Sequence, residues 1–189
     1  PGFVTLYFEE PDAVSHDFGP VSRETGDMVE RLDSLIGVLR IKLSALPHYR
    51  RINLIVLSDH GMAQLSPERY VNVRGSVPER MIAGIFGSNP VYLINPAEGK
   101  ADSVLLLLNN TTGIKAYRKS EVPERLNFGT HPRIPEIVVI ADSSWSIGTR
   151  PDGSSYTGGA HGYDNANTDM HAIFYAKGPA FRKQQKVTS

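Results

Sequence analysis

The order in which apolar segments follow one another is the feature that most restricts how this chain can fold. Residues 3–8 (FVTLYF) form a short aromatic and β-branched run, and residues 52–57 (INLIVL) form an apolar run without alternation. Between them, after Ser22 as a helix cap, apolar residues recur every three or four positions from Met28 to Leu46. Runs without alternation are typical of strands covered on both faces. The order strand–helix–strand therefore predicts a βαβ unit in a parallel sheet.

The rest of the chain continues this alternation of strands and helices. Further strands are predicted at 91–94, 114–118, 137–141 and 172–176, and a short helix at 101–110. The glycine- and serine-rich residues 147–165 are predicted to form a long loop, and long loops in compact domains are usually functional. We therefore expect an α/β fold with a mostly parallel sheet flanked by helices.

Composition excludes several classes of function. The 189 residues contain 20 Lys and Arg against 20 Asp and Glu, which leaves no net charge to form a nucleic-acid surface. No apolar run approaches the roughly 20 residues needed to span a bilayer. Cysteine is absent, so disulfides and thiolate metal ligands are excluded. Any metal ion must then be bound by His, Asp and Glu.

Polar side chains follow the predicted strands in a regular way. Asp12 and His16 come just after the first apolar run, Asp59 and His60 directly after the second, and His161 lies in the long loop. Ligands of open α/β sheets bind beyond the carboxyl ends of the strands. Aspartate and histidine without cysteine suit Zn²⁺ or Mn²⁺ better than Ca²⁺, which prefers an all-oxygen shell. The sequence therefore predicts a metal site at this edge.

Three motifs carry a family resemblance. The segments YFEEPDAVSHDFGP, LSDHGM and GAHGYDN, in that order, resemble the ecto-nucleotide pyrophosphatase/phosphodiesterase family of the alkaline phosphatase superfamily. The similarity continues through PERYVNV, VPERLNF, RIPEIVVIAD and MHAIFYAKGPAF. It implies an alkaline-phosphatase-like fold of which this chain is a partial domain. Residues 1–181 would be the C-terminal part of the catalytic domain, and residues 182–189 a polar tail.

The resemblance also implies a set of metal ligands. In such enzymes, the residues that match Asp12, His16 and His161 bind one divalent ion, expected to be Zn²⁺. Those that match Asp59 and His60 bind a second. The remaining ligands of the second ion, an aspartate and the threonine nucleophile, lie upstream of the matched motifs in the family. We therefore expect no catalytic nucleophile in this chain, and an isolated chain that is inactive.

Tyr7 is the candidate substrate-binding residue. The resemblance implies that its ring stacks on the base of a nucleotide substrate. The residues alone leave open that Tyr7 is a core aromatic whose hydroxyl is hydrogen-bonded. Thr5, Thr149 and Thr157 lack the adjacent base or helix start that would mark a nucleophile.

The implied activity is that of a two-zinc phosphodiesterase or nucleotide pyrophosphatase acting on a small phosphodiester or nucleotide. The resemblance also implies that such an enzyme acts in the periplasm or outside the cell. One alternative keeps the superfamily and changes the substrate to a phosphomonoester, a phosphonate or a lipid head group. Another is a non-catalytic metal-binding module, which the missing nucleophile favours for this chain taken alone.

Three features depart from the family pattern or from an ordinary chain start. Ser15 stands before the metal-binding histidine where many relatives have glycine. Leu65 and Ser76 lie in a region where many animal relatives carry cysteines, which favours a bacterial-type member. The opening Pro1–Gly2 is interpreted as an internal cut, with a mature terminus after processing as the alternative.

Overall fold

A computed structural model describes residues 2–186 of the chain. Pro1 and residues 187–189 lie outside the described residues, and with them the predicted internal cut and the end of the predicted polar tail. The helices are α1 (Asp12–Phe18), α2 (Arg23–Ser44), α3 (Val73–Ser76) and α4 (Ala101–Asn109). The strands are β1 (Leu54–Leu57), β2 (Ala63–Gln64), β3 (Tyr70–Asn72), β4 (Ile82–Ser88), β5 (Val91–Pro96), β6 (Ile114–Arg118), β7 (Ile137–Ala141), β8 (Ser146–Gly148), β9 (Gly159–Ala160) and β10 (Phe174–Lys177).

The largest sheet has four antiparallel strands in the order β4–β5–β7–β6. β4 and β5 form a hairpin around Asn89 and Pro90, a connection too short for any parallel arrangement. All five residues of β7 are buried, as expected for a central strand whose run of apolar residues does not alternate. This sheet carries much of the buried core.

Helix α4 packs its apolar face on this sheet. Val104 and Leu108 lie one turn apart and are fully buried together with Ile94, Ile137 and Val139. The end of the helix is fixed by Asn109, whose side chain donates to the carbonyl of Ala116 and accepts from its N–H, both at 3.0 Å. The predicted helix at 101–110 and the strands at 114–118 and 137–141 are confirmed.

The long helix predicted from the apolar spacing is also confirmed. The Ser22 hydroxyl accepts a hydrogen bond from the Thr25 N–H at 3.1 Å, which is the expected N-cap contact. The helix ends at Ser44, three residues before Pro47. Within the described part of the chain, no helix combines the length and the apolarity needed to cross a membrane.

The predicted strand at 3–8 is wrong. These residues form no ladder, and Phe3, Leu6 and Tyr7 are 83%, 63% and 84% exposed. A strand needs a partner for its N–H and C=O groups. Apolar composition does not supply one, and none of the described strands pairs with this segment.

The predicted direction of strand pairing also needs correction. β1 pairs antiparallel with β10, with Leu54 opposite Lys177, and no βαβ unit forms between residues 3 and 57. Among the described strands, β3 and β8 form the parallel pair, and the other ladders are antiparallel. The α/β class stands, but the strands of this chain are not mostly parallel.

Two leucines of α4 provide a matched test of this core. We expect Leu108→Ala to lower the free energy of unfolding by about 2–5 kcal/mol, because a fully buried side chain leaves a cavity. Leu106→Ala in the same helix removes a side chain that is 65% exposed and should cost less than about 0.5 kcal/mol. Urea unfolding followed by circular dichroism measures both. Equal losses would show that α4 does not pack as described.

Candidate metal centre

Helix α1 brings the first two predicted ligands together. Asp12 is the first residue of the helix, where a carboxylate is favoured by the helix dipole. His16 lies one turn later on the same face, and its Nε2 is 3.5 Å from Asp12 Oδ1. The start of the helix is held by Glu10, whose Oε2 accepts a hydrogen bond from the Val14 N–H at 3.2 Å. The spacing Asp-x-x-x-His is therefore a helical spacing.

The glycine-rich loop approaches this helix closely. Gly159 is in β9, which pairs antiparallel with β2, and its carbonyl is 2.9 Å from His16 Nδ1. This contact directs the opposite nitrogen, Nε2, towards Asp12. Gly158 has φ +72°, and a Cβ on it would lie 2.0 Å from the His16 carbonyl oxygen. Only glycine lets the loop come this near, and His161 follows three residues after Gly158.

Asp12 Oδ1 lies at the centre of three imidazoles. Besides His16, the Nε2 atoms of His60 and His161 lie 3.9 Å and 3.8 Å from it. This oxygen is buried and has no hydrogen-bond partner among the described residues. A buried carboxylate oxygen without a partner is costly, and a bound cation would remove that cost.

The donor set fits a divalent ion. One ligand atom each from Asp12, His16 and His161 lie within 4.8 Å of one another. Ligand atoms about 2.0–2.1 Å from a zinc ion lie roughly 3–4 Å apart, so only a small closure is needed. Two imidazole nitrogens and one carboxylate oxygen are a donor set that zinc accepts, with a fourth position left open.

Asp59 and His60 lie beside this cluster. The His60 ring stacks on the His161 ring with 3.6 Å between centroids and 15° between planes. His60 Nδ1 is 2.8 Å from the carbonyl of Gly61, which fixes the ring. Asp59 Oδ1 accepts from the His60 N–H at 3.2 Å and is otherwise exposed. These two residues alone offer fewer donors than a zinc ion needs.

The surroundings of His161 favour its neutral form. Burial lowers its pKa, and the neighbouring rings of His60 and His16 lower it further, whereas Asp12 and Asp59 act in the opposite direction. A histidine with a lowered pKa stays deprotonated to lower pH, and only the deprotonated ring binds a metal ion. His161 is therefore in the form that a ligand requires at neutral pH.

Tyr7 lines an open cleft rather than the core. Its ring is 84% exposed, which contradicts the alternative that it is a core aromatic. A cleft of about 520 Å³ lies between the segment that carries Tyr7 and helix α2, which contributes Met28, Arg31 and Leu32. That this ring stacks on a nucleotide base stays a prediction.

The sequence predicted which side chains come together at the candidate metal centre. It did not predict the helix and the backbone contact that position them. Helix α1 was not expected, although the four-residue spacing of Asp12 and His16 is a signal for it. The contact of His16 with Gly159 was also missed, and the pair Gly158–Gly159 just before Ala160 was its only sign.

The fold and the cluster define a class of protein: an α/β domain with a histidine and carboxylate centre suited to a divalent ion. A family model described as Type I phosphodiesterase / nucleotide pyrophosphatase matches residues 1–164, and the chain belongs to that family. The family resemblance and the alkaline-phosphatase-like α/β class are thereby confirmed.

Individual relatives agree with the family model. Human ectonucleotide pyrophosphatase/phosphodiesterase family member 5 is 38% identical over 179 residues, which are 94% of this chain and 37% of that protein. Human bis(5′-adenosyl)-triphosphatase ENPP4 is 36% identical over 185 residues, covering 97% of this chain and 40% of that protein. The solved murine family member 5 matches with a TM-score of 0.80 over 94% of this chain and 48% of that chain. The chain thus spans less than half the length of these relatives.

Two glycines test whether the close approach of the loop matters. Gly158 and Gly99 both have positive φ, +72° and +68°, but a Cβ on Gly99 would meet nothing within 4 Å. We expect Gly99→Ala to cost about 1 kcal/mol through backbone strain alone. Gly158→Ala should cost more and should also weaken zinc binding, because it separates the loop from α1. Chemical denaturation and zinc titration of both variants measure this, and equal effects would contradict it.

Proposed function

We propose that this chain is the metal-binding part of a nucleotide pyrophosphatase/phosphodiesterase that hydrolyses phosphodiester or pyrophosphate bonds. The observation that carries the proposal is the cluster of Asp12, His16 and His161 around a buried carboxylate oxygen in a chain of this family. Relatives named as a nucleotide pyrophosphatase/phosphodiesterase family member and as a dinucleoside triphosphatase match nearly the whole chain. Residues 1–181 are proposed to belong to one catalytic domain.

The proposed ligands divide into two groups. Asp12, His16 and His161 would hold one divalent ion, for which zinc is the best match to the donors, and Asp59 and His60 would contribute to a second. When bound, the ions would neutralise the charge on a phosphoryl group and orient it for displacement. The contacts of His16 with Gly159 and of His60 with Gly61 support a role of both residues as ligands, because they leave both Nε2 atoms free to face the centre.

The protein's own residues would supply orientation and a protected setting. The rings of His60 and His161 stack, so each restrains the other against rotation. The burial of Asp12 Oδ1 removes competition from water at that atom. These residues hold and orient charge, and none of them is proposed as the nucleophile.

We place the nucleophile and the missing ligand of the second ion in a preceding part of the polypeptide. Asp59 and His60 are too few for a zinc ion, and the chain spans 37–48% of the length of the relatives above. The apolar ribbon formed by β1 and β10 also supports this, since Leu57 and Phe174 are 62% and 61% exposed. Such a surface is usually covered by another part of the protein.

A nucleotide is the proposed substrate. A solved structure of an inactive variant of murine family member 5 contains AMP, and ENPP4 is named for hydrolysing a dinucleoside triphosphate. The exposed ring of Tyr7 beside an open cleft is compatible with stacking on a base. Because family member 5 is named an ectonucleotide pyrophosphatase/phosphodiesterase, we propose that this protein acts in the periplasm or outside the cell. A bacterial-type member stays a prediction.

Removal of His161 tests the first metal site. We expect His161→Ala to weaken the tighter of two zinc-binding steps by more than about 100-fold, because loss of a direct ligand exceeds the usual effect of an outer partner. His48→Ala removes an exposed histidine and should leave both steps unchanged. Isothermal titration calorimetry measures the affinities. Unchanged affinity in the His161 variant would reject the assignment.

Activity tests where the nucleophile lies. We expect the 189-residue chain with zinc to hydrolyse bis(4-nitrophenyl) phosphate no faster than its Asp59→Ala variant, because positioning alone gives rates orders of magnitude below those of covalent catalysis. The polypeptide that includes the preceding half should be active and should lose activity with Asp59→Ala. Metal-dependent turnover by the isolated chain would place the nucleophile within it and contradict the proposal.

A further inference from the structure

The backbone on each side of the proposed ligand His161 is fixed by contacts with other parts of the fold. The contacts on the C-terminal side have no role in the proposed function. On its N-terminal side, Ala160 is fixed by pairing with Ala63 in the β2–β9 ladder. On its C-terminal side comes Gly162, with φ +90° and the least restricted type of backbone. The direction in which the imidazole points therefore depends on what holds the chain after Gly162.

Tyr163 provides the first hold on that side. Its side chain is buried, and its hydroxyl donates to the carbonyl of Trp145 at 2.8 Å. Tyr163 therefore fixes the position of one residue of the loop. It does not fix the turn that begins at Asp164.

Asp164 provides the second hold, and both of its oxygens are used. Oδ1 accepts from the Ala166 N–H at 2.9 Å, and the Asn167 N–H donates to the Asp164 carbonyl at 3.0 Å, so the side chain closes an Asx turn. Oδ2 accepts from Arg125 Nη2. The Asp164 side chain is 21% exposed, which makes it the less exposed partner of this ion pair.

Arg125 connects this loop to a different part of the fold. It lies in the turn Glu124–Leu126, and Leu126 packs on the buried cluster of Val122, Val138 and Ile140. Since Val138 and Ile140 belong to β7, the guanidinium links the loop of His161 to an interior strand of the four-stranded sheet.

We infer that Arg125, acting through Asp164, is a positioning residue that holds His161 in the direction required for metal binding. This inference rests on the proposed metal site. Arg125 touches neither a proposed ligand nor the substrate cleft in the described contacts. An exposed ion pair adds little to global stability, whereas outer partners of metal ligands affect metal affinity by about 10–100-fold. Its effect should therefore appear in metal binding more than in unfolding.

The test uses the 189-residue chain, with zinc affinity from calorimetry and the visible spectrum of the Co²⁺ form. We expect Arg125→Ala to weaken the tighter zinc step about tenfold and to change the Co²⁺ spectrum, with Arg125→Lys retaining part of the affinity. Asp164→Asn keeps the acceptor for Ala166 and removes the charge, so it should reproduce the effect of Arg125→Ala. The double variant should be no worse than either single variant, because both remove one interaction.

Arg118 supplies the matched control. It pairs with Asp102 and, at 2.8 Å, with Glu136, and neither partner belongs to the loop of His161. Arg118→Ala should lower stability slightly and leave zinc affinity unchanged. If Arg125→Ala and Asp164→Asn behave like Arg118→Ala while His161→Ala still abolishes tight binding, the inference is wrong and the metal site stands. If the unaltered chain binds no zinc, both are overturned.

Discussion

The contact between His16 Nδ1 and the Gly159 carbonyl is the interaction on which the candidate site depends. It joins helix α1, near the start of the chain, to a loop 143 residues later. The same contact fixes the His16 ring and brings His161, two residues further along, to the same place. The glycine at 158 is what allows it, since any side chain there would meet the backbone of α1.

Electrostatics explain why this arrangement points to a cation. A buried carboxylate oxygen faces the Nε2 atoms of His16, His60 and His161 at 3.5–3.9 Å, and at those separations none of these contacts is a good hydrogen bond. The rings of His16 and His60 are instead oriented from behind by backbone carbonyls, as is usual for histidines that bind metals. The four groups are arranged around a common point and are not paired with one another.

The sequence was sufficient for the parts of the structure that depend on local patterns. The amphipathic helix after Ser22 and the apolar run of β7 follow from spacing and composition. The strand predicted at 3–8 does not form, because a strand depends on a partner that its own residues do not specify. The same limit applies to the site. Motifs identified Asp12 and His161, but the ion pair between Arg125 and Asp164 joins side chains 39 positions apart, and no local sequence pattern connects them.

The long separation between the halves of the site has a consequence for folding. Contacts between residues so far apart in the chain form late, because loop closure must precede them. An ion that binds only the closed arrangement favours it by mass action, so the population of the complete fold is linked to the free concentration of the ion. The centre would then act as a reversible cross-link between the first and last parts of the chain, and withdrawal of the ion would loosen the junction of α1 with β9 before it disturbed the four-stranded sheet.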